Sequence, residues 1–295
     1  MSGPTTRFAP APTGYLHLGH VANAIFVWGL AGAAAGQVIL RIEDHDRGRC
    51  RPEYEAALLD DLDWLGFRPD RPSTDELRRG PSPFRQSDSE AAYAVALEQL
   101  RTAGHVYACE CTRATFAAWE EARGTPWSGP GCPGGCRDKR LPDVPEANLR
   151  VALGDGDESF VDRIVGARSG DPSARGDLLV RGRDGWTYGF AVVVDDIRHG
   201  IDLVVRGEDL LDETPRQIRL GRLLGRSEPA LFGHHQLVHR PDGTKLSKAQ
   251  GDTSIRELRG AGASAEALIG RAAAEVGIEA SGRPLAAAEV DQLFR

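Results

Sequence analysis

Lysine is almost missing from this chain. Lys139, Lys245 and Lys248 are the only lysines among 36 basic residues, and the rest are arginine. Positive charge is not in excess either: 36 basic against 43 acidic residues leave a formal net charge of −7. That balance excludes a simple polycationic nucleic-acid coat, although a local basic groove stays open. Aromatic residues amount to 6% and form no evident stacking platform. No apolar run approaches the roughly 20 residues a membrane span needs. Residues Met1 to Pro10 lack the charged-then-apolar layout of a signal peptide. A cytoplasmic protein with no membrane partner is therefore expected. Internal repeats and low-complexity linkers are also missing. What is present is a folding composition, 41% hydrophobic and 27% charged over 295 residues. It is enough for one large domain or two modest ones and argues against disorder.

The five cysteines are unevenly placed. Cys50 stands alone and reads as a small side chain. Cys109, Cys111, Cys132 and Cys136 form a C-x-C and a C-x3-C pair joined by a long loop. Disulfides are disfavoured in the cytosol, so the cluster reads as a metal site. Four thiolates suit tetrahedral Zn²⁺ in a closed, structural site. The alternative is four buried or free thiols. The spacer opens with a helix-like stretch, Ala114 to Gly124, and Pro133-Gly134-Gly135 favours a tight turn.

Along the chain, TRFAP reads as a strand, APTGY as a loop, Leu18 to Ala35 as a helix stopped by Gly36, and QVILRIED as a buried strand. This is the βαβ opening of a nucleotide-binding fold. Pro52 to Leu65 is a helix with Leu58, Leu59, Leu62 and Leu65 on one face. Residues 66 to 84 read as loop, Ser89 to Ala103 as helix, and His105 to Glu110 as a strand entering the cysteines. Residues 137 to 185 read as an inserted module with strand-like pieces, NLRVAL and DLLVRG. AVVVDD (191–196) reads as a buried parallel strand by composition, and IDLVVRGEDL as another. Thr214 to Leu224 is a helix. Ala265 to Val276 is a further helix capped by Ser264.

Two motifs carry chemistry. In GYLHLGH (14–20), His17 and His20 lie three apart at a helix start and share a face. Gly14 and Gly19 permit close approach, and the helix N-terminus offers N–H groups to phosphate. The imidazoles are placed to donate to a phosphoryl group as charge develops on it. Taken alone, H-x-G-H is as readily two surface histidines. In TKLSK (244–248), Lys245 and Lys248 can reach phosphate oxygens as mobile point charges, and Ser247 adds a hydroxyl. A chain that uses arginine almost everywhere has lysine here, which weakens the reading as a solvated pair.

With HLGH and KLSK far apart and in this order, the sequence resembles the class I aminoacyl-tRNA synthetases. RFAPAPTGYLHLGH, LRIEDHD, AVVVDD, VVRGEDLL and TKLSK together resemble the glutamate branch, over roughly residues 5 to 250. The cysteine cluster is similar to that branch's zinc-binding insertion. Only about 45 residues follow Lys248, too few for a helical anticodon-binding region, so the chain resembles the truncated glutamyl-queuosine tRNA(Asp) synthetase family. The resemblance implies an α/β, Rossmann-like class I catalytic domain with a zinc-binding insertion and a short helical C-terminal segment. The expected division is 1–105 (first catalytic half), 106–184 (insertion with the zinc site), 185–250 (second half with the KLSK loop) and 251–295 (helical segment), without an anticodon-binding domain.

The implied activity is ATP-dependent activation of L-glutamate without tRNA, then transfer of the glutamyl group to queuosine at the wobble position of tRNA(Asp). His17, His20, Lys245 and Lys248 are the implied catalytic residues, and His17, Gly19, His20 and Lys248 the implied ATP contacts. Arg7, Ala9, Ala11, Glu43, Tyr188 and Arg206 are the implied glutamate site. Two arginines and one glutamate complement a substrate with two negative charges and one positive. Mg²⁺ accompanies ATP as substrate, structural Zn²⁺ sits on Cys109, Cys111, Cys132 and Cys136, and a monomer is expected. Three positions depart from the pattern: Ala11 stands where the family usually has Ser, His20 is present where the queuosine branch often lacks it, and Cys132 replaces a tyrosine ligand. Alternatives are transfer to another acceptor, a silent amino-acid- or tRNA-binding paralogue, or a general nucleotidyltransferase. The arginine-rich loop around Arg68, Arg71, Arg78, Arg79 and Arg85 is a possible phosphate contact, but reads more readily as solvated.

Overall fold

The structure is a computed structural model that describes residues 3–112, 114–116, 118, 121, 129, 131–132, 134–144, 147–239 and 253–295. The chain opens as the motif order predicts. Strand β1 (Thr5–Phe8) leads through a Pro/Gly loop into helix α1 (Leu18–Ala33), and β2 (Gln37–Leu40) returns parallel to β1, with Thr5 opposite Gln37 and Phe8 opposite Leu40. The turn after α1 places Ala35, not Gly36, in the left-handed region (φ 51°). Gly36 is needed for a different reason: a Cβ there would lie 2.2 Å from the Pro4 carbonyl oxygen.

Helix α2 (Pro52–Leu65) starts on proline and ends on Gly66 at φ 84°, and all of its expected leucines are buried. Such N-terminal proline and left-handed C-terminal glycine are the usual helix delimiters. The segment read as loop contains a short helix, α3 (Thr74–Arg78), held by a reciprocal Ser73–Glu76 capping box. Five residues with one buried leucine leave too little periodicity to detect. Helix α4 (Glu90–Thr102) follows. Strands β3 (Val106–Cys109), β4 (Asn148–Val151), β7 (Leu178–Gly182) and β8 (Gly185–Trp186) form an antiparallel sheet in that order. Between them, β5 (Glu158–Asp162) and β6 (Gly166–Gly170) make a hairpin that leaves this sheet. Instead, β5 runs parallel to β10 (Leu231–His235), which pairs parallel with β9 (Leu203–Gly207). The edge of β9 meets β1, where the Asp202 N–H donates to the Thr5 carbonyl at 3.0 Å.

The segment containing AVVVDD is helix α5 (Tyr188–Arg198), which corrects its reading as a parallel strand. Phe190 to Asp196 are all buried. The helix packs among α4 and the antiparallel sheet on one side, while its C-terminal aspartates turn toward the site. A helix covered on every face shows a continuous apolar run, and a short run of that kind does not separate helix from strand. Helix α6 (Thr214–Leu223) matches expectation.

The chain then returns to α1. Ser254 bridges His17, and the Ile255 N–H donates to the Leu16 carbonyl at 2.8 Å. Helices α7 (Ile255–Gly260) and α8 (Ala265–Glu275) follow, each capped by a serine side chain, Ser254 and Ser264. A 3-10 turn, Ala287–Phe294, closes the described chain against α1. Gly29 and Gly32 make that contact possible: a Cβ at Gly29 would lie 2.1 Å from the Phe294 ring, and one at Gly32 2.8 Å from Asp291. One core unites α1, α2, β1, β2, β9 and α8. A second unites α4, α5 and the antiparallel sheet. Among the described residues, no helix is long and apolar enough to cross a membrane.

Candidate active site and cysteine cluster

The parallel strands deliver charged side chains to one end of the sheet, where open α/β folds bind ligands. Arg7 lies on β1 and is buried. Its Nε donates to Asp196 Oδ1 at 3.1 Å and its Nη1 to the Val205 carbonyl at 3.0 Å. A guanidinium has five N–H donors, so among the described residues most of Arg7's donor capacity is left for a ligand. Arg41, fully buried after β2, donates to Asp196 Oδ1 at 2.7 Å and to Glu43 Oε1 at 3.1 Å. Asp196, at the end of α5, thus holds two arginines. Burial pushes its pKa up, but Arg7 and Arg41 outweigh that and hold it below the usual carboxylate value.

Glu43 faces the opposite balance. Burial pushes its pKa up, and the pull of Arg41 and Arg7 does not fully offset it. An incoming cation would relieve that cost, which suits a carboxylate meant for an ammonium group. Its backbone N–H donates to the Pro10 carbonyl at 3.2 Å. Glu43 is thereby set beside the half-buried Ala9 and Ala11 of the loop after β1. Tyr188, half-buried at the start of α5, has its hydroxyl pKa raised by burial and by the charge of Glu43. Arg206 ends β9, buried, with Nη1 on Gln217 Oε1 at 2.5 Å and Nη2 on Thr214 Oγ1 at 2.7 Å. A second wall runs from His45 Nδ1 to Gln86 Oε1 (2.6 Å) and from Gln86 Nε2 to Asp195 Oδ2 (3.1 Å).

The histidine motif forms the mouth of α1. His17 is the N-cap, and its Nδ1 accepts the Gly19 N–H at 3.1 Å. His20 Nδ1 accepts the His17 N–H at 3.2 Å, and the ring centroids are 4.1 Å apart. With both Nδ1 atoms accepting, a neutral ring carries its hydrogen on Nε2. Both rings are thus donors through Nε2, the state a phosphoryl oxygen needs. Lys245, Ser247 and Lys248 lie outside the described residues.

Arg7, Glu43, Tyr188 and Arg206 are therefore brought together, with Gly19, His17 and His20 at the head of the adjoining helix. The sequence reading assigns nothing to Arg41 or Asp196. A signal for both exists: each is a charge set in an apolar run (VILRI, VVVDDI), and such charges are buried only when paired. The arginine-rich loop is largely paired. Arg68 meets Asp63 at 2.7 Å, Arg78 meets Asp60 at 2.8 Å, and Arg85 meets Glu55.

At the far end of the antiparallel sheet, the sulfurs of Cys109, Cys111, Cys132 and Cys136 all lie within 4.8 Å of one another. Cys111 Sγ is 3.7 Å from Cys132 Sγ and 3.5 Å from Cys136 Sγ. Zn–S bonds of about 2.3 Å at tetrahedral angles place sulfurs about 3.8 Å apart, so the donor set fits zinc. Gly134, at φ 92°, makes the turn between the last two cysteines. The Cys111 N–H points at Cys109 Sγ (3.4 Å). Burial pushes the Cys111 thiol up to about 12, whereas a hydrogen bond from Cys109 holds Cys132 down to about 4; four thiolates this close together would repel one another without a cation among them. Asp177 anchors this knuckle, accepting from Tyr107 at 2.6 Å and from Arg137 at 2.5 Å.

Comparison with known proteins bears on the same residues. The family described as tRNA synthetases class I (E and Q), catalytic domain, matches residues 5–284. The curated Glutamyl-Q tRNA(Asp) synthetase of Symbiobacterium thermophilum is 41% identical, over 98% of this chain and 91% of that protein. The Glutamate--tRNA ligase of Bordetella parapertussis is 39% identical over 90% of this chain, which spans only 54% of that longer protein. Among solved structures, a glutamate tRNA ligase from Elizabethkingia meningosepticum, in complex with its amino acid, superposes with a TM-score of 0.78 at 27% identity, covering 99% of this chain and 64% of that one.

Proposed function

The chain belongs to the class I tRNA synthetases (E and Q), and from that premise we propose that it activates L-glutamate with ATP and passes the glutamyl group to queuosine of tRNA(Asp). The carrying observation is the charge set at the strand ends: Arg7 and Arg206 for two carboxylates, Glu43 for one ammonium, with Asp196 and Arg41 neutralising each other behind them. The identity to the glutamyl-Q relative, extending over most of both chains, supports the choice of acceptor.

In the activation step an α-carboxylate oxygen of glutamate bonds to the α-phosphorus of ATP, and pyrophosphate leaves with the electrons of the broken P–O bond. Arg7 orients a carboxylate with its remaining N–H groups, and a planar guanidinium favours a bidentate grip. Glu43 holds the ammonium and Tyr188 walls the pocket. His17 and His20 donate through Nε2 to the phosphoryl oxygens as negative charge accumulates. Lys245 and Lys248 neutralise the departing pyrophosphate, and Mg²⁺ enters with ATP. An acceptor hydroxyl then attacks the activated carbonyl and AMP leaves. Cys109, Cys111, Cys132 and Cys136 would hold Zn²⁺, which would supply a structural cross-link between the end of β3 and the turn that precedes β4.

The deciding assay is ATP–pyrophosphate exchange with glutamate in the absence of tRNA, with glutamine and aspartate as controls. Exchange with glutamate alone is expected, followed by charging of queuosine-containing but not queuosine-free tRNA(Asp). His17→Ala and Lys248→Ala each lower exchange by about 10²–10³, the usual effect of losing one transition-state donor. Near-normal exchange in both variants would remove those roles. Exchange only when tRNA is added would move the protein to ordinary charging.

A further inference from the structure

Arg206 is fixed on three sides. Besides Gln217 and Thr214, its Nε donates to His234 Nε2 at 3.0 Å. Behind the imidazole, His234 Nδ1 lies 2.5 Å from Asp162 Oδ2, and both side chains are fully shielded from solvent. The His234 backbone N–H also donates to Asp162 Oδ2, at 3.1 Å. Asp162 Oδ1 accepts the backbone N–H groups of Ile164 and Val165 at 2.8 and 2.9 Å, which locks the carboxylate into the turn between β5 and β6.

The donors and acceptors allow one arrangement. An ionised carboxylate only accepts, and a guanidinium only donates. His234 must therefore be neutral, with its hydrogen on Nδ1 and its lone pair on Nε2. The other tautomer and the imidazolium both set an N–H against the Arg206 N–H across 3.0 Å. We propose that Asp162 and His234 are positioning residues for glutamate: Asp162 fixes the tautomer of His234, and His234 fixes the guanidinium of Arg206 in the plane that receives a substrate carboxylate. This rests on the reading of Arg206 as a glutamate contact.

The surroundings favour the neutral ring. The groups that face it are Asp162 from β5, Arg206 from β9, the Thr214 hydroxyl from α6 at 3.1 Å, and, at longer range, Arg7 from β1. The ring also stacks beside Phe232, centroids 5.8 Å apart. Burial, aided by the two arginines and opposed by Asp162, holds its pKa below the ordinary imidazole value. The arrangement thus persists through neutral pH and fails in acid, when the ring gains its second hydrogen.

The test is a double-mutant cycle read as KM for glutamate and KM for ATP in pyrophosphate exchange at pH 7.5. Asp162→Asn removes the charge that fixes the tautomer and raises KM for glutamate about tenfold or more, with KM for ATP moving less than about twofold. His234→Gln keeps an acceptor near the Nε2 position and has no tautomer to lose. Asp162→Asn added to it has less than about a threefold further effect. Equal effects of Asp162→Asn in both backgrounds, or parallel rises in both KM values, would overturn the proposal. The ¹⁵N spectrum of the wild-type imidazoles decides the arrangement independently of any substrate and of whether a variant folds. A buried Nδ1–H ring at neutral pH is expected, and an Nε2–H ring or a cation refutes it. A wild type without glutamate-dependent exchange would instead overturn the functional reading, and the substrate half of this proposal with it.

Discussion

Replacing Asp196 by asparagine tests the charged floor of the site. The side chain keeps its shape and one carbonyl oxygen, but loses its charge. Oδ1 accepts from Arg41 at 2.7 Å and from Arg7 at 3.1 Å, and Arg41 has no exposed surface. Each charge-assisted bond, worth about 1.5–3 kcal/mol, becomes a neutral-acceptor bond to a buried arginine with one less counter-charge, a loss of about 1–1.5 kcal/mol apiece. Asp196→Asn should therefore destabilise by about 2–3 kcal/mol, short of the about 3–5 kcal/mol expected when Asp196→Ala leaves the arginines uncompensated. KM for glutamate should rise at least tenfold as Arg7 loses its brace. Because the Asp196 pKa is held below the usual value, its contribution is complete above the ordinary carboxylate range and is lost as pH falls through the depressed value. Wild type and variant should therefore converge in acid. Urea titrations at several pH values, with exchange kinetics at neutral pH, measure both effects. An Asp196→Asn protein within about 0.5 kcal/mol of wild type, with unchanged KM, would show that the two arginines do not depend on this carboxylate.

Other perturbations separate the remaining claims. Metal analysis should find about one zinc per chain. Cys132→Ser or a strong chelator should remove it, lower the thermal midpoint and expose the antiparallel sheet to protease; metal-free protein with an unchanged midpoint would refute a structural role. Asp61 is buried in α2, its Oδ2 has no hydrogen-bond partner among the described residues, and burial pushes its pKa up to about 6 despite Arg259 and Arg256. A carboxyl raised in the folded state destabilises once ionised, so Asp61→Asn should gain about 1–3 kcal/mol at pH 7. The gain should shrink toward zero near pH 4, and a loss of stability at pH 7 would show that the arginines dominate.

Much of the candidate site was legible because its residues sit in contiguous motifs at strand ends. RFAPAP, RIED and VVRGED each lie where a strand stops at the charged end of the sheet. Helix α2 was legible to the residue, since proline, a leucine face and glycine all agree. AVVVDD was not: full burial erases the period that distinguishes helix from strand, and only the packing of α4 and the antiparallel sheet around it decides. Arg41, Asp196, His234 and Asp162 escaped because their partners lie far away in the chain. Asp162 meets His234 across 72 positions, and Arg41 meets Asp196 across 155. The β5–β6 hairpin escaped likewise, since β10 that receives it comes much later.

The seat of Phe294 and Asp291 on Gly29 and Gly32 has a consequence for biosynthesis. A ribosome delivers α1 long before the turn that covers it. Until that turn arrives, the groove made by the two glycines lacks its cover. Strand β5 likewise waits for β10. The consecutive β1, α1, β2 and α2 can pack together as they emerge, but full closure of the sheet and of the helix layer waits for the late elements. Closure that waits on distant partners slows folding and prolongs the exposure of apolar surface and unpaired strand edges.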